Sequence, residues 1–276
     1  MSGVHAALVD GREGMAGALA ERWLAYGDGL FETLRAFAGK LPLWPAHLQR
    51  LMLGCERLQL PMPDASLLER ELAQLLARFP NSVIKLIVGA GGLARGYARE
   101  PGSSLRRAML VFPAPPQPAH LWRDGLRVCW CETRIAYQSR LAGIKHLNRL
   151  EQVLARAEWS DTTIAEGLMQ GSRGEVLCAT GANVFAVIDG VLCTPSVTEA
   201  GVAGVMRGEV LRLAASDMPT LVAELSVAEL QNAQEIFLTN AVRGVRPVGE
   251  LADRRLAIGP VARHLYDRLI ERGFCP

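Results

Sequence analysis

One lysine of this sequence, Lys145, lies in a segment that favours a catalytic role. Apolar residues recur at helical spacing in the segment around it, at Leu147, Leu150, Leu154 and Ala157. The pattern predicts an amphipathic helix whose start fixes the direction of the lysine. A lysine that is partly desolvated at the edge of an apolar element has a lowered pKa and can act as a Schiff-base nucleophile or a general base. A solvated lysine at a helix start is the ordinary alternative.

Two further candidates, Thr33 and Arg35, lie near the start of the chain. The turn-forming residues Gly27-Asp28-Gly29 precede a strand-like segment, residues 30–37. Because successive side chains of a strand alternate between its faces, Thr33 and Arg35 are predicted to share one face. An ordinary joint between a turn and a strand would give the same pattern.

Two segments have features that suit an anion such as a phosphate. Residues 45–58 have helical periodicity, with a buried stripe predicted at Leu48, Leu51, Met52, Cys55 and Leu58. Arg50 leaves that stripe, and a guanidinium suits phosphate because it offers a planar, bidentate fork, although most helix arginines are simply exposed. The glycine-flanked residues 201–207 open a helix predicted to run to Ala215. A helix N-terminus of this kind offers free backbone N–H groups to an anion.

The remaining patterns predict a mixed α/β chain with two domains. Further helices are predicted over residues 64–78 and 260–272. Strands are predicted over residues 83–88, 108–112, 126–133, 184–188, 191–194 and 236–239. The proline-rich segment 113–118 is predicted to be a stiff linker. It separates a small N-terminal α/β domain, residues 1–112, from a larger C-terminal domain, residues 119–276, that carries Lys145.

One glycine-rich segment imitates a dinucleotide-binding fingerprint. Gly89, Gly91 and Ala94 have its spacing after a predicted strand. The fingerprint requires a helix next, and here Pro101-Gly102 follows without helical periodicity. We therefore reject a nicotinamide- or flavin-binding site of that type.

Composition excludes several classes of function. The chain has 276 residues, half of them hydrophobic, with a net charge of only +2 and no basic block, so no nucleic-acid partner is expected. The six cysteines are scattered and fit neither a disulfide framework nor a zinc site, so we expect no metal. No signal core and no apolar run of about 18 residues appears, so we expect a soluble cytoplasmic protein without a membrane partner.

Four segments together resemble a known enzyme family. They are Tyr26–Arg35 (YGDGLFETLR), His47–Leu51 (HLQRL), Arg95–Tyr97 (RGY) and Gly143–Glu151 (GIKHLNRLE). The last of them looks like the cofactor-lysine segment of the aminodeoxychorismate lyases. Those lyases belong to the fold-type IV family of pyridoxal 5'-phosphate (PLP) enzymes, together with branched-chain and D-amino-acid aminotransferases. The resemblance covers most of the chain, from about Tyr26 to Val248.

The resemblance implies an α/β fold of the α+β type, with two domains, the active site at the domain interface, and a homodimer. It implies that Lys145 binds PLP covalently and that the Thr33 hydroxyl helps to protonate a leaving group. Other implied cofactor contacts are Arg50, Asn148, Arg149, Cys178, Val205, Met206 and Ala241. Implied substrate contacts are Arg95, Tyr97 and Arg35.

One position departs from the family pattern. The family has a glutamate that binds the pyridine nitrogen of PLP, and counting back from Asn183 places Cys178 there. Glu175 is three residues away, an odd offset that would face it to the other side of a strand unless a bulge intervenes. The departure leaves three alternatives open: a lyase that tolerates a weak electron sink, an aminotransferase acting on a D- or branched-chain amino acid, or a catalytically altered or silent homologue.

Overall fold

The structure is a computed structural model that describes residues 6–13, 21–92, 96–118 and 120–274. Contacts divide the chain into two compact units. The first unit comprises residues 1–115 and 144–148, and the second comprises residues 116–143 and 149–276. The predicted C-terminal domain included Lys145, whereas the contacts of the lysine place it in the first unit. The reason is that its backbone pairs with a strand of that unit.

The first unit is built on an antiparallel sheet of five strands. In chain order these are β1 (Ala6–Val9), β2 (Arg12–Glu13), β3 (Gly29–Arg35), β4 (Ser82–Ala90) and β5 (Leu105–Pro113). Their spatial order is β2-β1-β5-β4-β3, so β4 lies between β5 and β3. The predicted strands 83–88 and 108–112 correspond to β4 and β5. Pro113 was predicted to begin the linker, but it ends β5 because it pairs with Ser82.

Three helices complete the first unit: α1 (Arg22–Ala25), α2 (Trp44–Leu58) and α3 (Ala65–Arg78). Proline lies in the first turn of α2, and the Asp64 carboxylate accepts hydrogen bonds from the first backbone N–H groups of α3. Both helices lie where the sequence predicts them. The predicted apolar stripe of α2 is wrong at Met52, which is 36 % exposed, because the helix turns His47 and Gly54 inward instead.

The second unit contains a mixed sheet of nine strands. They are β6 (Leu126–Trp130), β7 (Ile164–Gln170), β8 (Val176–Ala179), β9 (Asn183–Ile188), β10 (Val191–Pro195), β11 (Thr220–Ala223), β12 (Glu235–Asn240), β13 (Gly244–Leu251) and β14 (Arg254–Arg255). The order is β11-β10-β9-β12-β13-β6-β7-β8, with β14 paired to β13. The pairs β13–β6, β6–β7 and β10–β11 are parallel. The predicted strands 184–188 and 191–194 correspond to β9 and β10, which form an antiparallel hairpin whose turn residues Asp189 and Gly190 both have positive φ.

The helices of the second unit are α4 (Leu121–Asp124), α5 (Leu150–Arg156), α6 (Val205–Ala214), α7 (Val227–Asn232) and α8 (Pro260–Glu271). Ser226 and Glu229 form a capping box at the start of α7, where each side chain accepts a hydrogen bond from the other residue's backbone N–H group. Strands and helices thus combine in both units, as the predicted α/β class requires.

The helix predicted around the lysine is shorter than expected. It begins at Leu150, five residues after Lys145, so it does not fix the direction of that side chain. Its predicted buried stripe is also wrong, because Leu150 and Leu154 are 75 % and 60 % exposed. Leu147 alone packs inward, beside a cluster formed by Trp23 and Ala108.

The described residues offer no candidate for a membrane-spanning helix or for a metal-binding cluster. Within them no helix has both the length and the apolar character needed to cross a membrane. Nor does that part of the chain bring three or more histidine, cysteine, aspartate or glutamate side chains together in a way that could hold a metal ion.

Candidate active site

Backbone hydrogen bonds hold Lys145 against the edge of β3. The Phe31 N–H donates to the Lys145 carbonyl at 2.9 Å, and the Leu147 N–H donates to the Gly29 carbonyl at 3.0 Å. The lysine segment is therefore a short addition to the edge of the sheet, and these hydrogen bonds fix its backbone. The Lys145 ammonium nitrogen lies 4.3 Å from the centre of the Phe31 ring.

One face of β3 brings several candidate side chains together. Three half-buried side chains lie on this face, as predicted: Phe31, Thr33 and Arg35. Glu32 points to the buried side. Thr33 is the direct cross-strand partner of Lys85 on β4. The Lys85 ammonium lies 5.0 Å from the same Phe31 ring.

Lys85 is a residue that the sequence analysis missed. Its signal was present, because a single lysine interrupts the apolar strand SVIKLIVG. Such a lysine can as well be a solvated residue on the open face of a sheet. Only the strand register shows that it neighbours Thr33 and shares an aromatic ring with Lys145.

Two predicted substrate residues are held by contacts of their own. The Arg35 guanidinium donates to the carbonyls of Ala36 and Ser82, at 3.2 and 3.4 Å, and lies 4.5 Å from the Phe37 ring centre. Tyr97 is 88 % exposed. The loop that carries Tyr97 is fixed because Arg22 donates to the carbonyls of residues 96, 97 and 98. The third predicted substrate residue, Arg95, lies outside the described residues.

Arg50 belongs to a buried polar cluster with Glu32 and His47. Its Nε donates to a Glu32 oxygen at 2.8 Å and its Nη2 donates to the other, a bidentate contact, while His47 Nδ1 lies 2.6 Å from Glu32. Burial raises the pKa of the Glu32 carboxyl, but the hydrogen bonds from His47 and Arg50 outweigh it and lower that pKa to about 2. Burial lowers the pKa of His47, and together with the charges of Arg50 and Lys145 it outweighs the hydrogen bond and the charge of Glu32, which raise that pKa.

The two residues predicted after the lysine lie at the end of its segment. The Asn148 amide donates to the Gly27 carbonyl at 3.2 Å. A Cβ at Gly27, whose φ is +62°, would come within 2.6 Å of the Asn148 oxygen, so the turn requires glycine. Arg149 is half-buried and precedes the first residue of α5.

The second unit presents an open helix N-terminus. Gly204 precedes Val205 and Met206 at the start of α6, and no described side chain caps this end of the helix. The Asn183 amide donates to the Val202 carbonyl at 2.9 Å and holds this loop, and a Cβ at Gly204 would lie 2.0 Å from the Asn183 oxygen. These backbone N–H groups suit an anion.

The turn after β12 contains Ala241, one of the cofactor contacts that the resemblance implies. The Asn240 side-chain oxygen accepts from the N–H groups of Val242 and Arg243, at 3.1 and 2.9 Å, and shapes the turn. The hydroxyl of the preceding Thr239 is buried and makes no hydrogen bond. A phosphate is one group that would satisfy such a buried hydroxyl, and the backbone N–H groups at the start of α6 suit the same group, so the donors of the second unit fit PLP.

Cys178 lies on β8 opposite Met169 of β7 and is 7 % exposed. The register shifts beside it, since Val176 pairs with Gln170 and Leu177 is an extra residue. This bulge places Glu175 on the same face as Cys178, which corrects the expectation of opposite faces. Glu175 is buried and accepts a hydrogen bond from the Tyr137 hydroxyl.

Comparison with known proteins agrees with these features. The model of the family described as amino-transferase class IV matches residues 29–251. Aminodeoxychorismate lyase from Vibrio harveyi is 34% identical over 91% of this chain and 94% of its own length. A putative branched-chain-amino-acid aminotransferase from Methanocaldococcus jannaschii is 29% identical over 89% of this chain and 87% of its own length.

Solved structures extend the comparison to the fold. The crystal structure of 4-amino-4-deoxychorismate lyase from Pseudomonas aeruginosa has a TM-score of 0.92 and 44% identity, and the match covers 96% of this chain and 98% of that one. The branched-chain amino acid aminotransferase of Escherichia coli has a TM-score of 0.85 at 20% identity, which shows the shared fold. The chain belongs to the amino-transferase class IV family.

Proposed function

We propose that this protein is a PLP-dependent lyase that converts 4-amino-4-deoxychorismate to 4-aminobenzoate and pyruvate. The observation that carries the proposal is the face of β3, where Lys145 and Thr33 lie with Phe31 and Lys85. An amine for the cofactor and a hydroxyl for a leaving group are the two groups that this elimination requires. The similarity to two lyases of this name, at 34% and 44% identity, supports it.

Lys145 has two roles in the proposed reaction. Its amine would hold the cofactor covalently, and the same amine, once free, would remove the proton from the amine-bearing carbon of the substrate. PLP, when bound, withdraws the electrons that this proton leaves behind. The carbon–oxygen bond to the enolpyruvyl group then breaks, and the ring becomes aromatic.

Thr33 and Lys85 act on the other parts of the substrate. The Thr33 hydroxyl delivers a proton to the leaving enolpyruvyl group, which ends as pyruvate. The substrate has two carboxylates, and the Lys85 ammonium beside Thr33 is placed to bind one of them. Arg35, Arg95 and Tyr97 stay proposed substrate contacts from the family resemblance.

The cofactor contacts are proposed from the resemblance and from the local geometry of each unit. In the first unit, Arg50 is oriented by its bidentate contact with Glu32, and Asn148 and Arg149 follow the lysine segment. In the second unit, the backbone groups of Val205, Met206 and Ala241 suit a phosphate, and Cys178 occupies the position proposed to meet the pyridine nitrogen.

An aminotransferase of the same fold is the second candidate, since the family contains such enzymes. Thr33 and Cys178 argue against it, because transamination must reprotonate the cofactor-stabilised carbanion and so relies on a strong electron sink. A catalytically silent homologue is the third candidate, and it predicts no covalent cofactor at all.

Assembly and location are further parts of the proposal. We propose a homodimer in the cytoplasm that serves folate biosynthesis. Support for the second copy comes from α5, where Leu150, Val153 and Leu154 are 75 %, 60 % and 60 % exposed on one small helix. Apolar side chains this exposed are stabilised by contact with another surface.

The test begins with the absorbance spectrum of the purified protein incubated with PLP, before and after borohydride. The chain has only three lysines, Lys40, Lys85 and Lys145, so peptide mapping can locate the reduced cofactor without ambiguity. We expect it on Lys145 in the wild type and no such band in Lys145→Ala. Addition of aminodeoxychorismate should then yield 4-aminobenzoate and pyruvate in equal amounts. A cofactor bound elsewhere, or a keto acid formed from an amino donor instead, would refute the lyase.

A further inference from the structure

Cys178 occupies the position where the family pattern has its glutamate. Both its residue type and its surroundings differ from that pattern. Cys178 belongs to an apolar cluster in the second unit. Its buried members are Cys131, Ile135, Ala155, Trp159, Met169, Leu177, Cys178 and Ala200. A carboxylate has been replaced by a thiol, and the side chains around it are those of a dry core.

The carboxylates on the elements around this cluster have partners of their own. Glu166 accepts from the Thr180 hydroxyl and from Arg246, the latter at 3.5 Å. Glu158 accepts from the backbone N–H groups of Glu132 and Thr133, at 2.6 and 2.8 Å. These hydrogen bonds hold each carboxylate in place.

Glu175 is the one carboxylate in this region that is buried and has an oxygen, Oε2, without a hydrogen bond. Its other oxygen accepts from Tyr137, and Arg173 lies 4.0 Å away. Both residues line, with Glu175, a pocket of about 50 Å³ that Glu199 and Glu224 also line. Cys178 is not among the residues that line this pocket, where the Tyr137 hydroxyl and the Arg173 guanidinium hold the Glu175 carboxylate.

The neighbourhood of Cys178 disfavours charge. Burial is the largest cause that raises the pKa of Cys131, in the same cluster, to about 12, and the charges of Glu158 and Glu166 raise it to a smaller extent. Burial is also the largest cause that raises the pKa of Cys129 on β6. The same desolvation acts on any ionisable group brought against these side chains. For a base such as pyridine it disfavours the protonated, cationic form.

We propose that Cys178 and the apolar side chains around it keep the ring nitrogen of bound PLP unprotonated. The inference rests on the proposed function for the presence of PLP at Cys178. A neutral ring withdraws electrons less than a pyridinium does. Elimination from aminodeoxychorismate tolerates this because aromatisation drives it, whereas transamination does not. Cys178 is thus a residue that determines which reaction the protein performs.

The test is the ¹⁵N resonance of PLP labelled at the ring nitrogen and bound to the whole protein at pH 7. Free labelled PLP, recorded above and below the titration of its ring nitrogen, supplies the two reference positions. We expect the wild type at the unprotonated position and Cys178→Glu shifted to the protonated one. The wild-type spectrum is decisive by itself, so the inference stays testable if the variant fails to fold. A wild-type resonance at the protonated position overturns it.

Further variants separate the possible outcomes. If the ring nitrogen of PLP is protonated in the wild type and Glu175→Gln removes that proton, then Glu175 is the partner of the nitrogen and the inference is wrong. If no labelled PLP binds, the proposed function fails first, which the absorbance spectrum shows independently. A PLP analogue with carbon in place of the ring nitrogen gives a kinetic check. When the analogue replaces PLP, the lyase rate of the wild type should fall little and that of Cys178→Glu should fall much more. A large loss of rate in the wild type would contradict the inference.

Discussion

Thr33 and Lys85 are direct cross-strand neighbours in the antiparallel pair of β3 and β4. Side chains in such positions have Cβ atoms about 4.5–5.5 Å apart and share one face of the sheet. The relationship places a hydroxyl beside an ammonium, and the ammonium groups of Lys85 and Lys145 lie 5.0 and 4.3 Å from the centre of the Phe31 ring. We propose that Thr33 delivers a proton and that Lys85 binds a carboxylate. Kinetic measurements on variants can separate these two roles.

Thr33→Val removes the hydroxyl and keeps the shape of the side chain. Loss of a positioned proton donor typically costs about 10²–10⁴-fold in rate, so we expect kcat to fall by that order while the KM changes little. Steady-state kinetics with aminodeoxychorismate measures both. Thr33→Ser retains the hydroxyl and should recover most of the rate. Equal losses in the two variants would show that the residue is needed for packing instead.

Lys85→Met should act on substrate binding. A hydrogen bond to a charged group contributes about 1.5–3 kcal/mol, so removal of the ammonium should raise the KM roughly 10- to 100-fold. The absorbance of bound PLP should be unchanged, because Lys145 and not Lys85 is the residue proposed to bind the cofactor. Lys40→Met, at an exposed lysine, is the matched control. An unchanged KM in the Lys85 variant would remove that residue from the substrate site.

The sequence predicted most of the elements of the fold because their signals are local. Asp64, the Asp189-Gly190 turn and the Ser226–Glu229 capping box each depend on residues close in the chain. Lys85 and Glu32 are different, since their roles come from strand register and from a helix packed on the strand. The bulge at Leu177 is also invisible in the sequence, because one extra residue in a strand changes no residue type.

The exposed apolar side chains of α5 give a test of the homodimer. Leu154→Glu introduces a charge on the face that also carries Leu150 and Val153, and a charge buried without a partner strongly opposes association. We expect sedimentation equilibrium to show a dimer for the wild type and a shift to monomer for this variant. Ser160→Glu adds the same charge at an exposed residue just after the helix and should remain dimeric. A fully dimeric Leu154 variant would mean that α5 lies outside the interface.

The buried cluster of Glu32, His47 and Arg50 should make stability depend on pH. The pKa of Glu32 is lowered from 4.5 to about 2 in the folded protein, so the folded state binds this proton less readily than the unfolded chain. The resulting stabilisation is present above pH 4.5 and is lost as the pH falls toward 2. A shift of that size corresponds to roughly 3 kcal/mol.

Glu32→Gln should remove this contribution. Because the variant leaves Arg50 and His47 without their buried carboxylate, we expect it to be less stable at pH 7 by about 3–5 kcal/mol. Urea unfolding at a series of pH values measures both effects, and the free energy of unfolding of the variant should fall less steeply than that of the wild type between pH 4.5 and 2. Glu56→Gln, at an exposed position of α2, should keep the wild-type profile. Parallel profiles for Glu32→Gln and the wild type would mean that Glu32 is protonated in the native protein, and the cluster could not then orient Arg50 by charge.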